Sequence, residues 1–280
     1  MGEEPDPTQA AFIEGNRELW DAWTKIHAGS DFYNLDGFRQ GGVRLRDYET
    51  AEIGPVAGKD LLHLQCHFGI DTLSWARLGA RVTGVDFSAE AIGLARRLAG
   101  ELGLEARFIE SDVYELPAKL DERFDVVYTS RGVLGWLPDI RRWAQVVGRF
   151  VKPGGIFYLH EIHPVLEAFE YAETQPGDLQ LAYPYWEHAK PLSFPVKGSY
   201  ADPEADLGKD LTEYGWNHGL GEIVTALAEA GLRIASLREY PFLEWPAALL
   251  VEVDGRWRLP GELDGRLPLM FSIKATCPPS

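Results

Sequence analysis

The amino-acid sequence predicts an α/β fold, a doubly wound parallel sheet with helices on both faces. Two observations carry that prediction. Between about residues 60 and 160, short apolar runs of strand length alternate with segments whose apolar residues recur at helical period, and capping residues or glycines stand where the period changes. Over 280 residues, 45% hydrophobic and 25% charged is the balance of a globular chain long enough for one large core.

Leu61-Leu62-His63-Leu64 reads as a first buried strand. Asp71-Thr72 caps a helix that ends at Gly79, and Arg81 to Asp86 forms a second strand. Ser88 caps the next helix, whose stripe is Ile92, Ala95 and Leu98, before Gly103 stops it ahead of a third strand, Arg107 to Glu110. Phe124 to Tyr128 is a fourth strand. Asp139 caps a helix with Ile140, Trp143, Val147 and Phe150 on one face, and Pro153-Gly154-Gly155 turns the chain into a fifth strand, Ile156 to Leu159. From Pro164 to Gly219 the alternation breaks into prolines and aromatics such as Tyr183-Pro184-Tyr185-Trp186, which reads as an insertion. It resumes with a helix bearing Leu220, Ile223, Val224 and Leu227, closed by Gly231, then strands at Arg233–Tyr240 and Leu269–Ala275. Ahead of all this, Ala10 to His27 places Phe12, Ile13, Leu19, Trp20, Trp23 and Ile26 at helical intervals, so it packs on the core or, with Asp31-Phe32-Tyr33, lies over a ligand.

Charge and composition exclude several function classes. With 43 Asp and Glu against 27 Lys and Arg, the formal net charge is −16, and no basic run exceeds the pairs Arg96-Arg97 and Arg141-Arg142. A phosphate-backbone binder needs clustered cations, so no nucleic acid partner is expected. No stretch approaches the ~18 apolar residues of a membrane span. Cys66 and Cys277 form no metal-ligand spacing or disulfide framework. The acidic, proline-broken start Met1 to Pro7 offers no secretory signal, which makes the cytoplasm the expected compartment.

In open parallel sheets ligands bind beyond the carboxyl ends of the strands. The loops there carry Gln65-Cys66-His67-Phe68-Gly69, Asp86-Phe87, Ser111-Asp112-Val113 and Thr129-Ser130-Arg131. An acidic residue ending the second strand suits a ribose diol, of a nicotinamide or an adenosyl cofactor equally.

Taken in order, Leu62-His63-Leu64-Gln65-Cys66-His67-Phe68-Gly69, Gly84-Val85-Asp86-Phe87-Ser88, Asp112-Val113-Tyr114-Glu115-Leu116-Pro117, Phe124-Asp125-Val126-Val127-Tyr128 and Lys152-Pro153-Gly154-Gly155 resemble the successive motifs of the class I S-adenosylmethionine-dependent methyltransferases of the small-molecule branch. The resemblance covers residues 45–165 and, more loosely, 219–276. It implies a seven-stranded, mostly parallel sheet of the Rossmann-like methyltransferase type with its last strand antiparallel. It also implies S-adenosyl-L-methionine as cofactor and a small-molecule methyl acceptor as the partner. By the same resemblance Asp86, with Phe87 after it, meets the ribose, Asp112 the adenine amino group and the Val113 amide the adenine ring. Gln65, Gly69 and Ser130 surround the methionine portion, and Tyr33 reaches it from outside the core. The expected organisation is an N-terminal helical segment at 1–44 packing on or capping the core, a cofactor-binding core at 45–164, an insertion at 165–218 whose length favours a lid over the acceptor site against a plain surface hairpin, and closing elements of the same core at 219–280.

The first loop departs from the family pattern, which has glycines where Gln65 and His67 stand and an acid in place of His63. A side chain in a left-handed conformation costs about 1 kcal/mol or more. Either the loop adopts a conformation that tolerates side chains, with Gln65 and His67 touching the cofactor, or the ligand is lost; the presence of Asp86 and Asp112 favours retention. Glu161 and His163 share a face at the end of the fifth strand and are the acid–base candidates, against a purely structural hydrogen-bonding role. His160-Glu161-Ile162-His163 lacks the spacing of a metal site, and the expected chemistry is metal-independent. Two other functions stay open at this point: a non-catalytic cofactor-binding or assembly protein of the same fold, and an NAD-dependent oxidoreductase, whose three-glycine first loop is absent.

Overall fold

The computed structural model describes residues 7–170 and 174–279; the acidic start, from Met1 through Asp6, lies outside them. Eleven strands and eight α-helices follow one another along these residues. They run α1 (Pro7–Gly29), α2 (Leu35–Arg39), α3 (Asp47–Ile53), β1 (Asp60–Leu64), α4 (Ile70–Arg77), β2 (Arg81–Asp86), α5 (Ala89–Leu102), β3 (Ala106–Glu110), α6 (Leu116–Lys119), β4 (Phe124–Ser130), α7 (Ile140–Phe150) and β5 (Val151–Ile162). Then come β6 (Leu192–Val196), β7 (Leu211–Gly215), α8 (Leu220–Glu229), β8 (Arg233–Tyr240), β9 (Val251–Val253), β10 (Arg256–Arg258) and β11 (Met270–Thr276).

Seven strands form the main sheet in the order β3-β2-β1-β4-β5-β11-β8, with β11 antiparallel to both neighbours and the first five parallel. Strand order reverses between β1 and β4, so the connections leaving their adjacent carboxyl ends run to opposite faces and open a crevice. Both faces of the sheet are covered, which is why its central strands read as continuous apolar runs. Leu62, Leu64, Val127, Phe157 and Leu159 pack with Trp143, Val147 and Phe150 of α7 and Ile223 and Leu227 of α8. The alternate positions Leu61, Val126, Tyr128 and Tyr158 pack with Ile53 and Trp75 on the other side.

Helix boundaries follow local chemistry. Ser88 accepts a hydrogen bond from the Ala91 amide and Asp139 from the Arg142 amide, while Gly103 closes α5 in the left-handed region. At α4 the expected Asp71-Thr72 cap is replaced: Gly69, at φ 76°, is the capping residue, and the helix begins at Ile70. Asp71 and Thr72 are thereby freed to face side chains of the crevice. Strand β5 is also longer than expected, because Pro153-Gly154-Gly155 sits inside it as an irregularity in the pairing with β4.

Gly84 in β2 is required by packing rather than by φ. A Cβ there would lie 2.7 Å from the Phe108 ring and 2.9 Å from Cys66 Sγ. Gly84→Ala is therefore expected to cost about 1–3 kcal/mol by overpacking, measured as a lower urea midpoint with unchanged slope.

Two segments stand outside the sheet. The β6–β7 hairpin lies within the stretch where the sequence loses its alternation, and α1 packs against it. Buried Asn16 clamps Tyr214 by donating to its carbonyl at 2.8 Å and accepting from its amide at 2.9 Å, and Leu19 and Trp23 pack with Leu211. The second segment, between β8 and β11, holds the β9–β10 hairpin. Its strands are three residues each, too short to print a period in the sequence. Among the described residues no helix is long and apolar enough to cross a membrane.

Candidate active site

Beyond the carboxyl ends of the parallel strands lies a cavity of about 1360 Å³. A single small ligand typically fills ~300–1,000 Å³, so two reactants have room here. Its floor is made by the loops after β1 to β5. Its cover comes from Ile13, Trp20 and Trp23 of α1, from the β6–β7 hairpin and from residues 243–250. Tyr33, Gln65, His67, Gly69, Asp86, Phe87, Asp112, Val113, Ser130 and Glu161 all line it; His163 does not.

The loop after β1 keeps glycine-type geometry without the glycines. Gln65 has φ 57°, His67 φ 50° and Gly69 φ 76°. The loop thus does not change shape to accommodate side chains; the surroundings hold it in a conformation that costs non-glycine residues about 1–2 kcal/mol each. The Gln65 side-chain amide donates to the Val133 carbonyl at 3.2 Å, and the His67 amide donates to Asp86 at 2.7 Å. His67 Nε2 lies 2.9 Å from His27 Nδ1, and His27 Nε2 lies 2.8 Å from the Ser199 hydroxyl. Burial pushes the His27 pKa down to about 3, and burial together with adjacent His27 holds His67 well below its ordinary range. The pair is neutral at physiological pH. Gln65 Oε1 and His67 Nδ1 remain buried without a partner among the described residues.

Asp86 is buried, and desolvation raises its pKa to about 6 against the opposing hydrogen bonds from the Ser88 and His67 amides. Each carboxylate oxygen receives one of those bonds and keeps a further lone pair. At the end of the adjacent strand, burial likewise raises Asp112, whose Oδ1 accepts from the Tyr114 amide at 2.7 Å. Tyr33 stacks on His27 with ring centroids 5.0 Å apart and shares a hydroxyl hydrogen bond with Tyr200. Arg17 sits over the Phe87 ring at 5.9 Å.

Beside Ser130 lies a charged network that no sequence spacing announces. Arg131 reaches Glu49 at 2.7 Å, Asp71 at 3.5 Å and Glu244 at 3.4 Å, and Arg46 meets Glu244 at 2.9 Å. Tyr128 donates to fully buried Glu49 at 2.6 Å, and the Ser130 hydroxyl lies 3.3 Å from His63 Nε2. These three acids arrive from three separate segments. Only Asp71 stood in a segment singled out from the sequence, and there it read as a cap.

Glu161 and His163 are not arranged as an acid–base pair. The Glu161 carboxylate accepts four amides: Gly132 and Ile162 on one oxygen, and Val133 at 2.8 Å and Leu134 at 3.1 Å on the other. It ties the loop after β4 to the end of β5. His163 accepts from the Val165 amide at 3.1 Å and bonds Glu239 at 3.0 Å, away from the cavity. Glu161→Gln puts an NH₂ group against two amide donors, so a loss of about 2–4 kcal/mol in unfolding free energy is expected by denaturant titration.

A Methyltransferase domain family profile matches residues 61–155. The ubiquinone biosynthesis O-methyltransferase of Shewanella pealeana (strain ATCC 700345 / ANG-SQ1) is 31% identical over 172 residues, which are 61% of this chain and 68% of that protein. The chain belongs to the class I S-adenosylmethionine-dependent methyltransferase family. The enzyme of the same description from Aeromonas salmonicida (strain A449) is 35% identical over 121 residues, 43% of this methyltransferase-family chain and 50% of that protein. The chain spans about half the length of several curated relatives it matches. The fold is shared with an S-adenosylmethionine-dependent methyltransferase from Mesorhizobium loti, with TM-score 0.56 at 22% identity over 80% of this chain and 94% of that one. It is shared too with the DhpI–SAH complex, with TM-score 0.56 at 17% identity over 96% and 98% of the two chains.

The residues present fit the family's cofactor. An adenosyl group brings hydroxyl and amino donors, and Asp86 and Asp112 present unfilled acceptor sites on adjacent strand ends. The unpaired Gln65 Oε1 and His67 Nδ1 are two more polar atoms on the same floor.

Proposed function

We propose that this protein transfers a methyl group from S-adenosyl-L-methionine to a small-molecule acceptor, without a metal. The observation that carries the reading is the pair of acceptor-rich carboxylates, Asp86 and Asp112, opening from neighbouring strands into one cavity large enough for donor and acceptor together. In this reading Asp86 takes the ribose hydroxyls, Asp112 the adenine amino group and the Val113 amide a ring nitrogen. Gln65, His67, Gly69 and Ser130 border the methionine portion, with Tyr33 closing it from outside.

When bound, the cofactor supplies a methyl group already activated on a positively charged sulfur. The chain's task is alignment and exclusion of water, which can supply several kcal/mol, up to about 7–11 for well-oriented reactants. Trp20 packs edge-on to Trp23 at 5.3 Å and Trp136 at 5.2 Å, joining the first helix to the loop after β4. With the insertion hairpin docked on that helix, these rings form the cover. Several of the ubiquinone relatives match over only about half their length, so the acceptor is to be read from this chain's own cavity.

Titration calorimetry with S-adenosylhomocysteine is expected to give a 1:1 binding heat, and NAD none. A panel of small acceptors with S-adenosylmethionine should then yield S-adenosylhomocysteine. Absence of any heat with either adenosyl compound sinks the reading; binding without turnover on every acceptor favours a non-catalytic cofactor-binding protein instead.

A further inference from the structure

The insertion hairpin carries one carboxylate into the cavity that the cofactor reading does not use. Cross-strand pairing sets Leu192 opposite Gly215, Phe194 opposite Glu213 and Val196 opposite Leu211. Side chains alternate along a strand, so Leu192, Phe194, Val196 and Glu213 share one face, and all four line the cavity. The face is apolar except for Glu213. Tyr183 meets Phe194 edge-on at 5.5 Å and spends its own hydroxyl on Glu170. Lys197 lines the same cavity without forming an ion pair with Glu213. No described residue donates a hydrogen bond to the Glu213 carboxylate or pairs with it, and burial alone pushes its pKa up to about 7.

The hairpin is also pinned to the floor beside the donor. The Trp216 amide, one residue past β7, donates to the Gly135 carbonyl at 2.8 Å, in the loop that Glu161 holds after β4. Glu213 thus faces the cavity from a wall fixed to the loop that borders the proposed methionine portion.

A half-buried carboxylate in an apolar wall, with no cation of its own, gains most when a ligand supplies the partner. We propose that Glu213 recognises the head of the acceptor, and that the acceptor is a cationic primary or secondary amine on an apolar, ring-bearing body. This rests on the methyl-transfer reading above and names its substrate class. The aromatic rings beside Glu213 favour a cation as well, through their negative faces. A protonated amine has no free lone pair; passing its proton to a Glu213 oxygen leaves a neutral amine able to attack and a neutral carboxylic acid, with charge and protons balanced.

The test uses phenethylamine and its uncharged counterpart phenethyl alcohol as probes on the full chain at pH 8, by calorimetry in the presence of saturating S-adenosylhomocysteine. The amine is expected to bind at least tenfold more tightly than the alcohol. In Glu213→Gln the preference should fall to within twofold, while the affinity for S-adenosylhomocysteine stays unchanged and certifies the fold. Equal binding of the two probes by the unaltered protein overturns the proposal, whatever the variant does, and so does a preference that survives in Glu213→Gln. If S-adenosylhomocysteine gives no heat, the methyl-transfer reading fails separately, and the same probe pair without it still decides whether Glu213 selects amines.

Discussion

Replacing Asp86 with alanine is expected to weaken S-adenosylhomocysteine binding by at least about 100-fold, with most of the fold intact. Hydrogen bonds to a charged group contribute about 1.5–3 kcal/mol each, and two ribose hydroxyls make two of them. The same carboxylate also receives the His67 and Ser88 amides, so its loss releases the strained loop that borders the pocket. Burial raises the Asp86 pKa to about 6 in the free protein, which gives affinity and stability opposite pH slopes. Ligand hydroxyls favour the charged form, so affinity should fall as the pH drops below about 6. For stability the sign reverses. A carboxyl whose folded pKa exceeds its unfolded value contributes stability that is complete below about pH 4 and is lost as the pH rises through about 6. Calorimetric affinities and thermal melts of the free protein between pH 4.5 and 7.5 should therefore diverge at this residue, and the divergence should vanish in Asp86→Ala. Binding by that variant within threefold of the unaltered protein would remove Asp86 from the site.

What the sequence could reveal follows from where its signals are local. The succession of strands up to β5 and the caps Ser88, Gly103 and Asp139 were legible because a period and a capping residue lie within a few positions of each other. The cavity-lining acids Asp86 and Asp112 were legible because strand ends in this topology converge. The Gly69 cap was missed for a chemical reason: Asp71-Thr72 is a good capping sequence, and nothing local shows that Thr72 instead bonds His63 at 2.8 Å and that Asp71 faces Arg131. Glu161 and His163 could be placed at the right strand end, yet their neighbours decide what each does, and those neighbours are backbone amides of residues 132–134 and a side chain on β8. The His27–His67 contact joins residues 40 apart, and the one from His27 to Ser199 spans 172. No pattern in a single sequence encodes such pairings.

The costliest single change to the fold is expected at Arg131, where Arg131→Met should lower the unfolding free energy by about 3–5 kcal/mol. Burial opposes the charge of this guanidinium, but the fields of Glu49 and Asp71 outweigh it and raise its pKa well above the ordinary value. It is the cation shared by three acids, of which Glu49 is fully buried and the Glu244 side chain nearly so. Arg46 offers Glu244 a second partner at 2.9 Å, but its side chain is far more exposed and it forms no ion pair with Glu49 or Asp71. Methionine fills much of the volume and leaves Glu49 without its cation, so the loss measures stranded charge rather than a cavity. That assignment has its own check. Combining Arg131→Met with Glu49→Gln removes the most deeply buried of the stranded charges while keeping an acceptor for the Tyr128 hydroxyl, and should restore at least about 1 kcal/mol relative to Arg131→Met alone. Additive losses in the double variant would mean that packing, not charge, holds this corner of the crevice. Recovery would tie the loop after β4 to α3, to α4 and to the segment between β8 and β11 through one buried cation, which fixes the Ser130 side of the proposed methionine pocket from three directions.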